Sequence, residues 1–345
     1  MKRLLAAVAV LLVTTVAALA GLEAHYRGLE AGLRLTIAPP DEPGRKFVLT
    51  GKNLNSQGFR ERELELEKHD RVYRIIVLGD SVSFGGGVRI HEAWPRVAEG
   101  FIAERRRVQV VNLSVFSYDI EQIIATLRHR GHAWEPDLVV YGAYINDHVP
   151  TDLLQTTTGP IYVGSTLAPG LHGPGWLVPH SALLRRYYGG RATRLEGTLR
   201  EAEWKGDVSW YAQQLEELRA EAGDKLFVFS LLPHDRSFQE MHERYNALYE
   251  ELGIPYASAL PYLVGSGRES FFSEDSPEDI VHPDATGQRL YGWAFADAFE
   301  RLEAGGAMLR ADEVAEVPAA VMEVPDVPAA DGVPRPGTGK RKRQP

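Results

Sequence analysis

The chain of 345 residues contains no cysteine. It therefore has no disulfide, no thiolate nucleophile and no zinc site built on cysteine. This absence does not identify the compartment, because a domain of this size folds without disulfides. The net charge of −9 lacks the basic excess that nucleic-acid binding requires, so we expect no nucleic-acid partner. Its eleven histidines include no pair with zinc-binding spacing such as His-x-x-x-His, and we expect neither a metal nor a cofactor.

The N-terminus carries an apolar run from Leu4 to Ala20 that follows Lys2 and Arg3. The run is near the lower limit of the roughly 17–25 residues that cross a bilayer. Residues 18–20 read Ala-Leu-Ala, a small-x-small cleavage pattern, but the helical pattern continues beyond them without a loop. Residues 1–27 are therefore predicted to be a cleaved signal peptide or an uncleaved membrane anchor, with a slight preference for the anchor. Since positive residues stay in the cytoplasm, the rest of the chain is expected outside it, in the periplasm or at the cell surface.

Strand and helix patterns alternate through the middle of the chain. Apolar strand patterns lie near 73–78, 108–112, 137–142, 225–231 and 254–258, and helical patterns lie near 91–105, 119–131, 207–222, 236–252 and 285–302. This alternation predicts an α/β fold with a mainly parallel five-stranded sheet. Right-handed crossovers favour a flavodoxin-like, three-layer α/β/α sandwich. An insertion is expected after the third strand.

The first strand pattern ends in Gly79-Asp80-Ser81. Ligands bind at the carboxyl ends of strands in open α/β sheets, so a serine at this place is a candidate nucleophile. A strand-end serine is also typical of a helix N-cap or a turn. Other parts of the chain therefore have to decide between these two interpretations of Ser81.

A base and a carboxylate for this serine occur near the C-terminal end of the pattern, where residues 279–283 read Asp-Ile-Val-His-Pro. Asp279 and His282 can meet across one turn, so that the carboxylate orients the imidazole toward the serine. A histidine here is otherwise typical of a helix start. The combination of Ser81, Asp279 and His282 favours a catalytic triad.

Two further segments follow strand patterns, ending at Asn112 and at Asn146-Asp147. Attack on an ester carbonyl creates an oxyanion that needs preorganised N–H donors. The Asn146 amide and the backbone N–H groups of Ser81 and Ser117 are the candidates. Taken singly, Asn146 is also typical of a cap or a turn.

These blocks resemble those of the SGNH hydrolases, the GDSL-type esterases and lipases. The resemblance covers residues 55–302 and rests on the segments 79–81, 112–117, 144–147 and 279–282. Asn-Ser-Gln-Gly-Phe-Arg at 55–60 is similar to a membrane-associated bacterial branch. The resemblance implies that Ser81 is the nucleophile, His282 the base and Asp279 its orienter. It also implies an oxyanion hole of Asn146 with the N–H groups of Ser81 and Ser117.

Two positions depart from this family pattern, which usually has glycine where Ser117 and Tyr144 stand. A serine keeps the backbone N–H but adopts a positive φ less readily than glycine, which affects the angle of that donor. Tyr144 adds bulk near the mouth of the site and is expected to narrow the substrate range.

The remaining segments are assigned by composition. Residues 28–70 form a polar lead-in, 71–305 the hydrolase domain and 306–345 a disordered tail rich in proline, alanine and acidic residues. Residues 148–204 form an insertion rich in aromatic side chains, interpreted as a lid or substrate-binding segment or as a structural cap. Its aromatics could stack on sugar rings. His148 and His234 are additional pocket candidates.

The predicted function is a serine esterase that hydrolyses a short acyl ester, on a small molecule or on a cell-surface glycan. The first alternative is an O-acyltransferase of the same fold that acts on a surface polysaccharide. The second is a non-catalytic glycan-binding protein, motivated by the two missing glycines. A membrane is expected as a partner of the N-terminal segment if that segment is not cleaved, and the sequence does not indicate an oligomeric state.

Overall fold

A computed structural model of the chain describes residues 1–31, 34–36, 47–49, 54–148, 153–156, 159–162, 174, 176–204, 208–231, 239–268, 271, 281–310 and 313–323. The chain forms two compact units. One consists of residues 1–52 and 150–201, and the other of residues 53–149 and 202–345. We refer to them as the anchor unit and the sheet unit.

Nine strands lie in the described part of the chain. They are β1 (Arg34–Thr36), β2 (Phe47–Leu49), β3 (Tyr73–Gly79), β4 (Val108–Asn112), β5 (Leu138–Ala143), β6 (Leu153–Thr156), β7 (Gly159–Tyr162), β8 (Leu226–Ser230) and β9 (Tyr256–Ser258). Five of them form a parallel sheet in the order β4-β3-β5-β8-β9. Numbered by their place within this sheet, they follow the flavodoxin-like order 2-1-3-4-5. The predicted fold class is confirmed, and all of the strands in this sheet are parallel.

Ten α-helices accompany the strands in the described residues. They are α1 (Lys2–Leu29), α2 (Ser81–Phe84), α3 (Trp94–Ala103), α4 (Ile120–Thr126), α5 (Ala182–Trp204), α6 (Ser209–Ala222), α7 (Gln239–Glu251), α8 (Leu260–Gly265), α9 (Ala285–Glu303) and α10 (Ala319–Met322). Local chemistry explains several starts. Asp119 and Gln122 form a capping box at α4, and the Asp284 side chain accepts the Gly287 N–H at the start of α9.

Helices cover both faces of the parallel sheet. Helices α3 and α9 pack together on one face, over Ile75 and Val77 of β3. The opposite face carries α4, α6 and a π-helical turn at Leu127–Gly131. The inner strands β3, β5 and β8 are buried on both sides, and their side chains are apolar apart from Arg74 and Ser230. Because all strands are parallel, their carboxyl ends meet at one edge, where Ser81 and Asn146 follow.

The chain after α9 differs from the expectation of a disordered tail over 306–345. Ala315 is 7% exposed and Val321 is 3% exposed, and both belong to the main apolar core. The amide of Ala315 donates to the carbonyl oxygen of Pro261 at 3.0 Å. The difference concerns 306–310 and 313–323, where four more apolar side chains pack against the same core: Met308, Leu309, Val317 and Met322. Residues 311–312 and 324–345 lie outside the described residues.

The anchor unit contains two short antiparallel hairpins, β1–β2 and β6–β7. Its longest elements are α1 and α5, and the latter continues into the sheet unit at its C-terminal end. A small apolar cluster of Val178, Leu184, Tyr188 and Ala192 lies along one face of α5 and the turn before it. Most of the predicted insertion at 148–204 belongs to this unit.

The packing of residues 313–323 on the core predicts opposite changes in stability for two glycine-to-alanine substitutions. A Cβ at Gly265 would meet the carbonyl oxygen of Ala315, so we expect Gly265→Ala to lower stability by about 1–3 kcal/mol through overpacking. Gly100 in α3 has no atom within 4 Å of the same position, and Gly100→Ala should raise stability by about 1 kcal/mol. Urea unfolding of the full chain in detergent measures both. An unchanged midpoint for Gly265→Ala would contradict the docking of residues 313–323.

Candidate active site

Ser81 is the first residue of α2, directly after β3. Asp80 caps the helix, and its Oδ1 accepts the Val82 N–H at 2.9 Å. The helix is one turn long and ends at Gly85, which has a φ of 81°. The abrupt end of the strand thus places the serine hydroxyl at the carboxyl edge of the sheet, as predicted. The residue is 6% exposed.

The turn after β3 requires two glycines that face each other across the sheet. Gly79 and Gly142 are register partners in β3 and β5. A Cβ at Gly79 would lie 2.7 Å from Ser83 Oγ and 2.9 Å from the Gly142 carbonyl oxygen, and a Cβ at Gly142 would also meet Ser83 Oγ. Only the absence of both side chains lets α2 sit this close to the strand ends.

The buried carboxylate of Asp80 connects three parts of the site. Ser81 Oγ donates to Asp80 Oδ2 at 3.3 Å, and the Asn146 side chain also hydrogen bonds to this carboxylate. Burial raises the pKa of Asp80, while the Val82 N–H, the charge that His282 can carry and the Asn146 amide oppose this rise. Asp80 is 0% exposed, so these neighbours replace water around it.

His282 lies against the turn that follows Ser81. A Cβ at Gly86 would be 2.6 Å from Cδ2 and 3.0 Å from Nε2 of the imidazole ring, so glycine is needed for this approach. The Gly86 N–H in turn donates to the Ser81 carbonyl oxygen at 2.8 Å. The His282 ring also packs on Phe116, with ring centroids 5.3 Å apart. The structure thus brings His282 to the same edge as Ser81, across about 200 residues of sequence.

Ser117 adopts the left-handed backbone conformation with a φ of 61°. Glycine adopts this conformation without strain, whereas the serine adopts it at a cost of roughly 1–2 kcal/mol. The missing glycine therefore costs backbone strain and does not change the backbone conformation, because Ser117 has taken the conformation that glycine favours. The adjacent Phe116 ring, packed on His282, holds this loop in place.

The position of Tyr144 differs from the expectation that its side chain adds bulk near the mouth of the site. It is 5% exposed and belongs to the main apolar core. Its hydroxyl donates to the Val281 carbonyl oxygen at 3.2 Å, directly before His282. The added bulk therefore points into the core and supports the loop that carries the histidine.

Asp147 is a second buried carboxyl group next to the site. Its Oδ2 accepts the Tyr144 N–H at 2.9 Å and the Tyr141 hydroxyl at 3.0 Å. Burial raises the pKa of Asp147 well above its ordinary value, and the nearby charge of Asp80 adds to this rise. The hydroxyls of Tyr141, Tyr211 and Tyr249 continue the chain of hydrogen bonds into the core. This network fixes the turn that carries Asn146.

Arg60 of the lead-in braces the turn after α2, a role that the sequence did not reveal. Its guanidinium donates to the carbonyl oxygens of Phe84 and Gly85, each at 2.8 Å, and to that of Val88. Burial lowers the pKa of Arg60 to about 10, with the charge of Glu92 acting in the opposite direction. The sequence similarity of residues 55–60 to a membrane-associated bacterial branch marks this segment but does not assign a role to Arg60. Arg60 thus holds the same glycine turn that contacts His282.

Glu61, the next residue, supports the segment 112–117, which begins at the end of β4. Its Oε2 accepts the Asn112 N–H at 3.2 Å. The Asn112 side chain donates to the Ser83 carbonyl oxygen at 2.7 Å and accepts the Ser114 N–H at 3.1 Å. The lead-in therefore links the ends of β3 and β4 through buried polar contacts. Burial raises the pKa of Glu61.

The other predicted site residues have different outcomes. Asp279 and His234 lie outside the described residues, so the third member of the predicted triad stays a prediction. His148 is 3% exposed, and its ring lies 4.9 Å from that of Tyr245. It is therefore a packed residue of the described core. Among the described residues, no group of three His, Asp or Glu side chains is placed to hold a metal.

No protein-family model matches the sequence, and no curated protein matches it. Solved structures with similar folds include a lipolytic protein of the G-D-S-L family from Veillonella parvula, at 15% identity over 66% of this chain and 99% of that one, with a TM-score of 0.40. A psychrotrophic esterase from Pseudoalteromonas shares 14% identity over 67% and 98%, with a TM-score of 0.42. An acetylxylan esterase from Geobacillus stearothermophilus shares 14% identity over 69% and 96%, with a TM-score of 0.41. Identities and scores this low carry no information about activity.

The conformation of Ser117 predicts that Ser117→Gly stabilises the protein. Relief of the left-handed strain outweighs the extra freedom of glycine in the unfolded chain, and we expect a gain of about 0.5–1 kcal/mol. Ser114→Gly, three residues earlier and without a positive φ, should lose about that amount. Urea unfolding measures both variants. Equal losses in the two would contradict the assigned conformation.

The Arg60 brace predicts a local change that does not depend on activity. Arg60→Met leaves three carbonyl oxygens without their donor, so hydrogen exchange of the amides in 84–88 should accelerate at least about tenfold. Arg62→Met is the matched control, because Arg62 pairs with Glu99 at 2.8 Å and touches no atom of that turn in the contacts described. Exchange measured by mass spectrometry distinguishes them. The same exchange rate in both variants would show that Arg60 is not the brace.

Proposed function

We propose that the chain is a serine ester hydrolase that acts on a short acyl ester through Ser81 and His282. The observation that carries this proposal is the convergence of Ser81, Asn146 and His282 on the turn after β3, with the buried Asp80 carboxylate between them. A helix N-cap role alone would account for Asp80 and leave the approach of His282 unexplained.

In the proposed reaction, Ser81 Oγ attacks the carbonyl carbon of the ester while His282 Nε2 takes the hydroxyl proton. The hydroxyl must first turn from Asp80 toward the imidazole, because it donates to Asp80 in the resting arrangement. The backbone N–H groups of Ser81 and Ser117 and the Asn146 amide then stabilise the oxyanion. His282 returns the proton to the leaving alcohol, and water releases the acyl group by the reverse sequence.

Asp279 is the proposed orienter of His282, on the strength of its position three residues earlier in the sequence. Within the described residues, Tyr144 holds the Val281 carbonyl and Phe116 packs on the imidazole. These two contacts restrict the orientation of the imidazole ring independently of any contact with a carboxylate. A histidine ring that is held in one orientation suits the role of general base, because proton transfer depends on where the ring nitrogen points.

The alternative of a non-catalytic glycan-binding protein is weakened by the conformation of Ser117. That alternative was motivated by the two missing glycines. Ser117 nevertheless adopts the conformation that glycine favours, and Tyr144 supports the His282 loop. Neither departure removes a group that the proposed reaction uses. An O-acyltransferase would use the same groups with a sugar hydroxyl in place of water.

We also propose that α1 remains in the chain as a membrane anchor. The helix is one apolar span of suitable length, and none of its residues is buried. The hydroxyls of Thr14 and Thr15 donate to backbone carbonyl oxygens one turn earlier, so their polar groups are satisfied without water. Lys2 and Arg3 would keep the N-terminus in the cytoplasm and the sheet unit outside it.

The nucleophile assignment predicts that Ser81→Ala lowers hydrolysis of p-nitrophenyl acetate by about 10³-fold or more. Asn146→Ala should lower it by about 10²–10³-fold through loss of one oxyanion donor. A fluorophosphonate probe should label the parent chain on Ser81 and leave Ser81→Ala unlabelled.

Ser266→Ala is the matched control, because Ser266 donates only to the Leu263 carbonyl oxygen within its own helix. It should retain both turnover and labelling. Full turnover in folded Ser81→Ala would overturn the assignment. Labelling without hydrolysis, together with acyl transfer to an added glycan acceptor, would instead identify a transferase.

A further inference from the structure

The end of α1 is held by the start of α5 within the anchor unit. The Glu23 carboxylate accepts the Ser181 hydroxyl at 2.8 Å, the Ala182 N–H at 3.1 Å and the Leu183 N–H at 2.9 Å. It therefore caps the N-terminus of α5, where a negative charge also meets the positive end of the helix dipole. A residue from the apolar helix thus completes a helix 160 residues later in the chain.

Two further contacts reinforce this junction. Arg27 pairs with Glu23 at 2.7 Å and donates to the His180 carbonyl oxygen at 2.6 Å. Glu30 and Arg185 form an ion pair in which both side chains are about 5% exposed. A buried charge pair is strongly disfavoured when one partner is lost, so the two helices depend on each other here.

These contacts place the start of α5 beside the last turns of α1. Glu23 meets residues 181–183, and Arg27 meets the His180 carbonyl oxygen. Glu30, directly after α1, meets Arg185. The N-terminal end of α5 and the turn before it therefore lie next to the C-terminal end of the apolar helix. Since a helix rises about 1.5 Å per residue, the junction begins within about 2 Å of Leu22, the last large apolar residue before it.

The turn before α5 exposes two large apolar side chains at this end. Trp176 is 76% exposed and Leu177 is 37% exposed, although Val178 next to them is buried. The turn is well formed, because the Leu177 N–H donates to the Pro174 carbonyl oxygen at 2.7 Å and the His180 N–H to that of Leu177 at 3.0 Å. This turn thus exposes a tryptophan side chain, which is unfavourable in water and favourable at the boundary of a bilayer.

We propose that the turn of residues 176–180 is a second membrane contact, with Trp176 and Leu177 seated in the lipid headgroup region beside α1. This inference rests on the proposed retention of α1 as an anchor and is independent of the esterase chemistry. Tryptophan suits this depth because its ring is apolar while its indole N–H hydrogen bonds to headgroups. The Glu23 cap fixes the height of the turn above the span. The alternative occupant of Trp176 is a sugar ring.

The absence of cysteine allows single nitroxide labels in the full-length chain. We would place them by Leu177→Cys, Val13→Cys and Gly190→Cys in protein reconstituted into phosphatidylcholine vesicles. Val13 reports the centre of α1, and Gly190 is an exposed position on α5 with no atom within 4 Å of an added Cβ. Collision rates with oxygen, which favours lipid, and with a water-soluble nickel chelate give the depth of each label.

We expect the oxygen-to-nickel ratio to be highest at position 13, several-fold lower at 177, and several-fold lower again at 190. A ratio at 177 equal to that at 190, with lipid exposure at 13, would overturn the second contact while leaving the anchor intact. Water exposure at 13 would overturn both. A label at 177 that is in water and is immobilised by an acetylated oligosaccharide would identify a glycan surface instead. Hydrolysis of p-nitrophenyl acetate by the same samples tests the proposed function separately.

Discussion

The close approach of α2 to the sheet is the constraint on which the site depends. Gly79 and Gly142 face each other in neighbouring strands, and Ser83 occupies the space that their side chains would take. Without this approach, the chain could not turn at Asp80 and return at Gly85 within one helical turn. The positions of the Ser81 hydroxyl and of the glycine turn beneath His282 both follow from it. The absence of a side chain at Gly79 and Gly142 therefore determines where the reacting groups meet.

Buried polar groups then hold the surrounding loops in a single arrangement. Asp80, Asp147 and Glu61 are each buried. Asp80 and Asp147 accept a backbone N–H of their own turn, and Glu61 accepts that of Asn112, which is 51 residues away. A buried carboxyl group that loses its hydrogen-bond donors is costly, so a loop that moved would destabilise the protein. Arg60 does the same for carbonyl oxygens in the turn after α2. The site is thus supported by hydrogen bonds within its turns and, through Glu61 and Arg60, by hydrogen bonds between segments that are distant in the sequence.

The anchor unit shows a related use of buried charge at a different place. Glu23 lies near the end of a helix whose earlier part is apolar and exposed, and Glu30 follows that helix directly. Both carboxylates are satisfied by residues of α5 and the turn before it. Such contacts give the end of an apolar helix a defined partner. They turn a feature that resembles a plain export signal into part of a folded unit, and they set the position of Trp176.

The sequence by itself determined the class of fold and the location of the candidate site. Apolar strand patterns at a regular alternation with helices have few parallel-sheet solutions, and strand-end residues in such a sheet must share one edge. That reasoning placed Ser81 and Asn146 correctly at that edge. It could not assign roles to Arg60, Glu61 or Tyr144, because their partners lie 24 to 137 residues away and no local period records such contacts. Only the tertiary structure decided that Ser117 takes the left-handed conformation, that Tyr144 points into the core and that Glu23 of α1 caps α5. Each of these outcomes depends on the energetics of packing between distant segments.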